Sequence, residues 1–194
     1  MLGFAIFLVM VADLGDVQMA ASQAFMALLS LSFMQASGLG IAVATLVGRY
    51  IGSGQFEAAE KSFRSGMLFG LFIAGSVALL FLLIPELLIR IFSEDPDVLR
   101  MGASLLVIGA FLQFFDALGI IADGALHGAG DTRVPFVARF LLAFGLMLPL
   151  VWLLAFRLDG GLNGAWTGGL VHMVFLAIYL IWRFHSGAWK KIQI

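Results

Sequence analysis

The 194-residue chain contains no cysteine. Disulfides, thiolate nucleophiles, zinc–thiolate sites and iron–sulfur clusters are therefore excluded. Charge is scarce too, at 12% of residues, about half the share of an ordinary soluble chain. Eleven Lys and Arg against twelve Asp and Glu leave a formal net charge of -1. Such a balance implies no nucleic acid or other polyanionic partner. Histidine is limited to His127, His172 and His185. These stand far apart in sequence and share no carboxylate at metal-ligand spacing, so no metal site is expected. The clusters Gly52-Ser53-Gly54 and Gly128-Ala129-Gly130 lack the Lys and the strand-to-helix context of a phosphate loop. Pairing Ser37 with His172 as a hydrolase rests on a coincidence of common residues. No enzyme and no cofactor is expected.

What is abundant is apolar surface, with 62% of residues hydrophobic and a mean hydropathy of +1.06. That exceeds what a core of this size absorbs, and the remainder needs a lipid bilayer. A transmembrane helix takes about 20 mostly apolar residues. The sequence predicts an all-α integral membrane protein, a six-helix bundle lobe in one domain over 1–194. Five spans are full, at 17–48, 65–85, 98–122, 134–156 and 162–182. Runs of this length do not suit β-barrel strands, which are shorter and alternate. The first segment, 1–12, is apolar but spans only about 18 Å at 1.5 Å per residue. No Lys or Arg precedes it, so it lacks the positive region of a signal peptide. It reads as the second half of a helix.

The connections carry their own signals. Residues 55–64 form an amphipathic collar with Glu57/Lys61 and Glu60/Arg64 in the favourable acid-before-base order. Asp95-Pro96-Asp97 predicts an N-cap with proline at the first helical position. Pro149, with Gly145 one turn earlier, is expected to bend the fourth full span. Alternate loops hold eight and three of the Lys and Arg residues. The positive-inside rule then predicts a multi-pass plasma-membrane protein, with both termini cytoplasmic and the loops near Asp13, Glu94 and Asp159 outside.

Asp116 lies deep in the third full span, within Gln113-Phe114-Phe115-Asp116-Ala117. A carboxylate there costs about 2.5–3.5 kcal/mol on insertion scales, so it is expected to face a polar interior and to handle a cation or proton. Gln113 and Asp123 fall on the same helix face and extend this into a polar stripe. Gln35, beside Ser32 and Ser37, is a further interior polar candidate.

The stretch from Gly40 to Gly54, Gly-Ile-Ala-Val-Ala-Thr-Leu-Val-Gly-Arg-Tyr-Ile-Gly-Ser-Gly, is followed by Ala58-Ala59. Together they resemble a segment of the multidrug and toxic compound extrusion family. Ala125-Leu126-His127-Gly128-Ala129-Gly130-Asp131-Thr132-Arg133 is similar to that family's Gly-x-Gly-Asp-Thr loop. Gln113 and Asp116 match its tenth-helix acidic motif. The resemblance implies the C-terminal six-helix lobe of a twelve-helix antiporter that exports small organic compounds or drugs. It also implies H⁺ or Na⁺ as the coupling ion, with Asp116 at the coupling position. His127 stands where the family usually has Arg, and Arg49 where Gln is common. The seventh-helix Glu that some members use aligns just before Met1. Such a lobe needs a missing N-terminal lobe or a second copy, because repeat transporters place their site between halves. The alternatives are a non-transporting accessory subunit or inactive fragment, and a channel, which would need rings of like residues around a pore.

Overall fold

The computed structural model describes residues 2–191, so Met1 of the predicted first segment lies outside the described residues. Helix α1 is Leu2–Ala12, α2 Asp16–Gly52, α3 Phe56–Leu83, α4 Pro85–Arg90 and α5 Pro96–Gly128. Helix α6 is Arg133–Arg157 and α7 Gly161–His185, followed by a short 3₁₀ turn at Ala188–Lys191. Among the described residues there is no strand. Five of the helices are long and apolar enough to cross a membrane, and α1 is a shorter apolar one. The protein is thus an all-helical membrane lobe.

The helices extend past their apolar stretches because polar residues continue the same turns. The collar at 56–64 is the first part of α3, with Ala59 and Phe63 buried and Glu57 and Lys61 outward. Asp95 caps α5 as its sequence suggests, accepting from the backbone N–H of Asp97 at 2.8 Å and of Val98 at 3.3 Å. Pro85 starts a separate short helix, α4, where the sequence reading has only a loop. In α6, π-helical turns at Ala143–Met147 and Leu153–Arg157 flank Pro149. Proline has no N–H for the Gly145 carbonyl, and its ring crowds that group. Wider turns absorb the mismatch without breaking the span.

Helix α5 is the axis of the lobe, packed on α2, α3 and α7, while α6 lies outside against α7 and α1. One apolar cluster gathers Val11, Phe25, Val98, Ala155 and Trp166, and another gathers Val47, Ala59, Ala129, Ala138 and Phe184. The two clusters put the connections after α1, α4 and α6 at one end and those after α2, α5 and α7 at the other, as alternating crossings require. Phe7 and Phe25 meet the Trp166 ring edge-on at 4.9 and 4.7 Å. The indole N–H of Trp166 donates to Ser22 Oγ at 2.9 Å, which satisfies both polar groups in an apolar setting. Large apolar side chains such as Phe72, Phe136, Leu141, Trp152 and Trp182 point outward. An outward apolar face of that extent suits lipid.

The contact between α2 and α5 is made by small residues. Gly40, Ala44 and Gly48 on α2 run along Ile120, Gly124 and Gly128 on α5 at four-residue spacing. A Cβ on Gly124 would stand 2.3 Å from the Gly40 carbonyl oxygen, and one on Gly128 2.2 Å from that of Ala44. Dispersion between closely approached backbones holds membrane helices together where no hydrophobic drive acts between them. This seam fixes the distance between the two helices that line the site.

Candidate functional site

Asp116 faces a cavity of about 500 Å³ walled by α2, α5, α6 and α7. Its α5 wall is Phe115, Asp116, Gly119, Ile120, Asp123, Gly124 and His127. Residues 116, 119, 120, 123, 124 and 127 recur at the three- and four-residue steps of one helix face. Ser37, Gly40 and Ile41 enter from α2, Arg139 from α6, and His172 and Met173 from α7. The lining is mostly apolar with a few convergent polar groups, the usual make-up of a small-molecule site. Asp116 is half-buried. Among the described residues no cation lies within ion-pair distance of it. It is therefore free to take a cation or proton from outside the chain.

The predicted polar stripe divides in the structure. Gln113 is buried and borders a small second cavity between α2, α3 and α5, with Ser32 and Asp116. Asp123 borders the large cavity, and Asp116 alone of the three touches both. Among the described residues neither amide atom of Gln113 has a hydrogen-bond partner. The expectation for Gln35 is corrected. It is exposed and lines neither cavity, while Ser32 is the neighbour turned inward and Ser37 faces the large cavity. Helical phase explains this: Gln35 is 100° from Ala36, which is buried against Ala74 and Ala117.

Asp123 is engaged. Its Oδ2 lies 3.1 Å from Nη2 of Arg139, and its Oδ1 lies 3.6 Å from Nδ1 of His127. One helical turn places His127 beside Asp123. In the eight-to-three count of loop charges, Arg139 groups with Arg133 in the loop before α6. The structure draws that guanidinium to the cavity instead, leaving the side chain half exposed. An arginine this far inside an apolar run was the available signal. His172 is buried, and among the described residues its Nδ1 has no hydrogen-bond partner. Ser37 and His172 line the same cavity, but among the described residues no hydrogen bond joins them.

The loop after α5 is built by its own residues. Gly130 has φ +77°, a left-handed conformation that glycine adopts without strain. Asp131, 4% exposed, accepts from Arg183 Nε of α7 at 2.8 Å. This pair ties the loop to the far helix. Arg183→Ala would leave a buried carboxylate uncompensated and is expected to cost about 3 kcal/mol. A thermal unfolding midpoint in detergent matching the parent's would remove that role from the pair.

The family model described as MatE matches residues 1–153. A probable multidrug resistance protein NorM of Thermotoga maritima is 36% identical over 162 residues, 84% of this chain and 35% of that protein. The multidrug resistance protein PmpM of Pseudomonas aeruginosa is 33% identical over 194 residues, 98% of this chain and 41% of that protein. The chain thus spans about two-fifths of the length of the curated relatives it matches. Among solved structures, a MATE in its straight conformation superposes with a TM-score of 0.87 at 20% identity, over 100% of this chain and 43% of the other. An outward-facing multidrug resistance MATE family transporter gives 0.86 at 21% identity, over 100% and 43%. At such identity these two establish the fold alone.

Proposed function

This chain belongs to the MatE, or multidrug and toxic compound extrusion, family, and from that premise we propose that it forms one lobe of a cation-coupled antiporter exporting small organic compounds. The observation that carries the reading is Asp116, without an ion-pair partner among the described residues and mid-span on the wall of a largely apolar cavity. A carboxylate in that position attracts a proton or Na⁺, and the apolar remainder of the lining accepts an organic body. Asp116 is the coupling residue in this reading, with Gln113, Asp123, Ser32 and Ser37 along the ion's path. The lobe works opposite an N-terminal lobe or a second copy, since transporters built of repeats bind between them. Its relatives carry multidrug resistance names, which supports drugs as the substrate class.

The test is transport by vesicles holding this lobe with a complementary one. Ethidium movement should follow an imposed H⁺ or Na⁺ gradient and stop when the gradient is dissipated. Movement indifferent to both gradients would end the antiporter reading, and steady electrodiffusive current would point to a channel. The membrane orientation has a separate test. With the loops at Ser53 cytoplasmic and at Asp159 outside, cysteines placed there should react with an impermeant reagent from opposite sides. Labelling of both from one side would refute the topology.

A further inference from the structure

The cavity holds a fixed positive charge of its own. Arg139 comes from α6, and its guanidinium rests on Asp123 at 3.1 Å. Asp116 lies on the same wall of the same cavity, seven residues earlier on α5. At 1.5 Å per residue that separation is about 10 Å along the helix. The charged and titratable groups facing this space are Asp123 and His127 from α5, Arg139 from α6 and His172 from α7, while α2 contributes only Ser37 as a polar side chain. Arg139 is thus the one permanent cation in reach among the described residues.

We propose that Arg139 is a built-in counter-cation that sets how tightly Asp116 holds an incoming cation, and that Asp123 keeps it parked away from Asp116. The proposal rests on the reading of Asp116 as the cation-binding group. A parked guanidinium opposes the incoming cation through space, so the ion binds weakly enough to be released on each cycle. Without Asp123 the guanidinium is free to swing toward Asp116 and compete with the ion directly. The arrangement separates two roles, binding at Asp116 and tuning by the Asp123–Arg139 pair. Both Arg139 and Asp123 are positioning residues in this scheme, since neither holds the ion.

The two substitutions should therefore act in opposite directions. In the 194-residue chain in lipid nanodiscs, cation binding is read as retention of radioactive sodium and, for protons, as the carboxylic-acid infrared band of Asp116. Asp116→Asn serves as the blank. Arg139→Gln should lower the half-saturating cation concentration about tenfold, the effect of one charge at about 10 Å in an effective dielectric near 20. Arg139→Lys should stay near the parent value. Asp123→Asn should raise the half-saturating concentration by a similar factor, and the double variant should return toward the parent. Shifts of the same sign for Arg139→Gln and Asp123→Asn would overturn the proposal, because loss of a merely structural pair weakens binding either way. An unchanged half-saturation in both would overturn it equally. If Asp116→Asn binds as well as the parent, the reading of Asp116 itself has failed, which is a distinct result.

Discussion

Asp116→Asn, assembled with a complementary lobe in vesicles, should export ethidium at background rate under either ion gradient. The amide keeps the size and polarity of the side chain, so the packing around α5 is preserved. What disappears is the charge. A carboxylate and a monovalent cation about 4 Å apart in an effective dielectric of 20 attract by about 4 kcal/mol. That corresponds to a roughly thousandfold loss of cation affinity. Coupling needs an ion whose affinity differs between the two faces of the cycle, and without affinity there is nothing to couple. The outcome is read as initial rates of gradient-driven efflux, with the amount of folded protein checked by size-exclusion elution. Full-rate export by a well-folded Asp116→Asn protein would remove Asp116 from the mechanism. Gln113→Ala offers a milder contrast, since it enlarges the small cavity beside Asp116 and leaves the charge in place.

The depth of Asp116 was legible in the sequence because apolar runs report membrane position directly. The central place of α5 was less so, since its polar residues point the same way whether a helix is axial or peripheral. The seam glycines explain the difference. Gly40, Gly48, Gly124 and Gly128 stand in the stretches that resemble the family, but only the packed structure shows that they face one another. Gln35 and Gln113 divided for a similar reason. Both are mid-span amides, and a difference of helical phase sends one outward and the other into a cavity. The Asp123–Arg139 and Asp131–Arg183 pairings were invisible because each joins residues on different elements of the fold. Charge counting along a single chain assigns such residues to loops, and only tertiary packing decides whether they turn inward.

The largest structural effect should come from the seam itself. Gly124→Val is expected to yield little folded protein, because even its Cβ would stand 2.3 Å from the Gly40 carbonyl oxygen and 3.0 Å from the Gly40 Cα. The obstacle is backbone, which cannot rotate aside as a side chain does, so α2 and α5 must separate along their length. Overpacking of a well-fitted contact costs about 1–3 kcal/mol, and the dispersion lost as two helices part adds to it. Gly128→Val should behave alike against Ala44. Gly38→Ala is the control, since its Cβ would meet nothing within 4 Å. Replacing an open helical glycine is expected to be neutral or to stabilise by up to about 1 kcal/mol. Gly124→Ala, the smallest intrusion, is the informative intermediate. Gly40 and Gly124 also line the large cavity, so a slightly widened seam reshapes the wall beside Asp116. Folded Gly124→Ala should therefore show altered cation half-saturation along with a lower unfolding midpoint. If Gly124→Val folds and unfolds like the parent, α2 and α5 are not held by close backbone contact, and the geometry of the cavity must be set elsewhere.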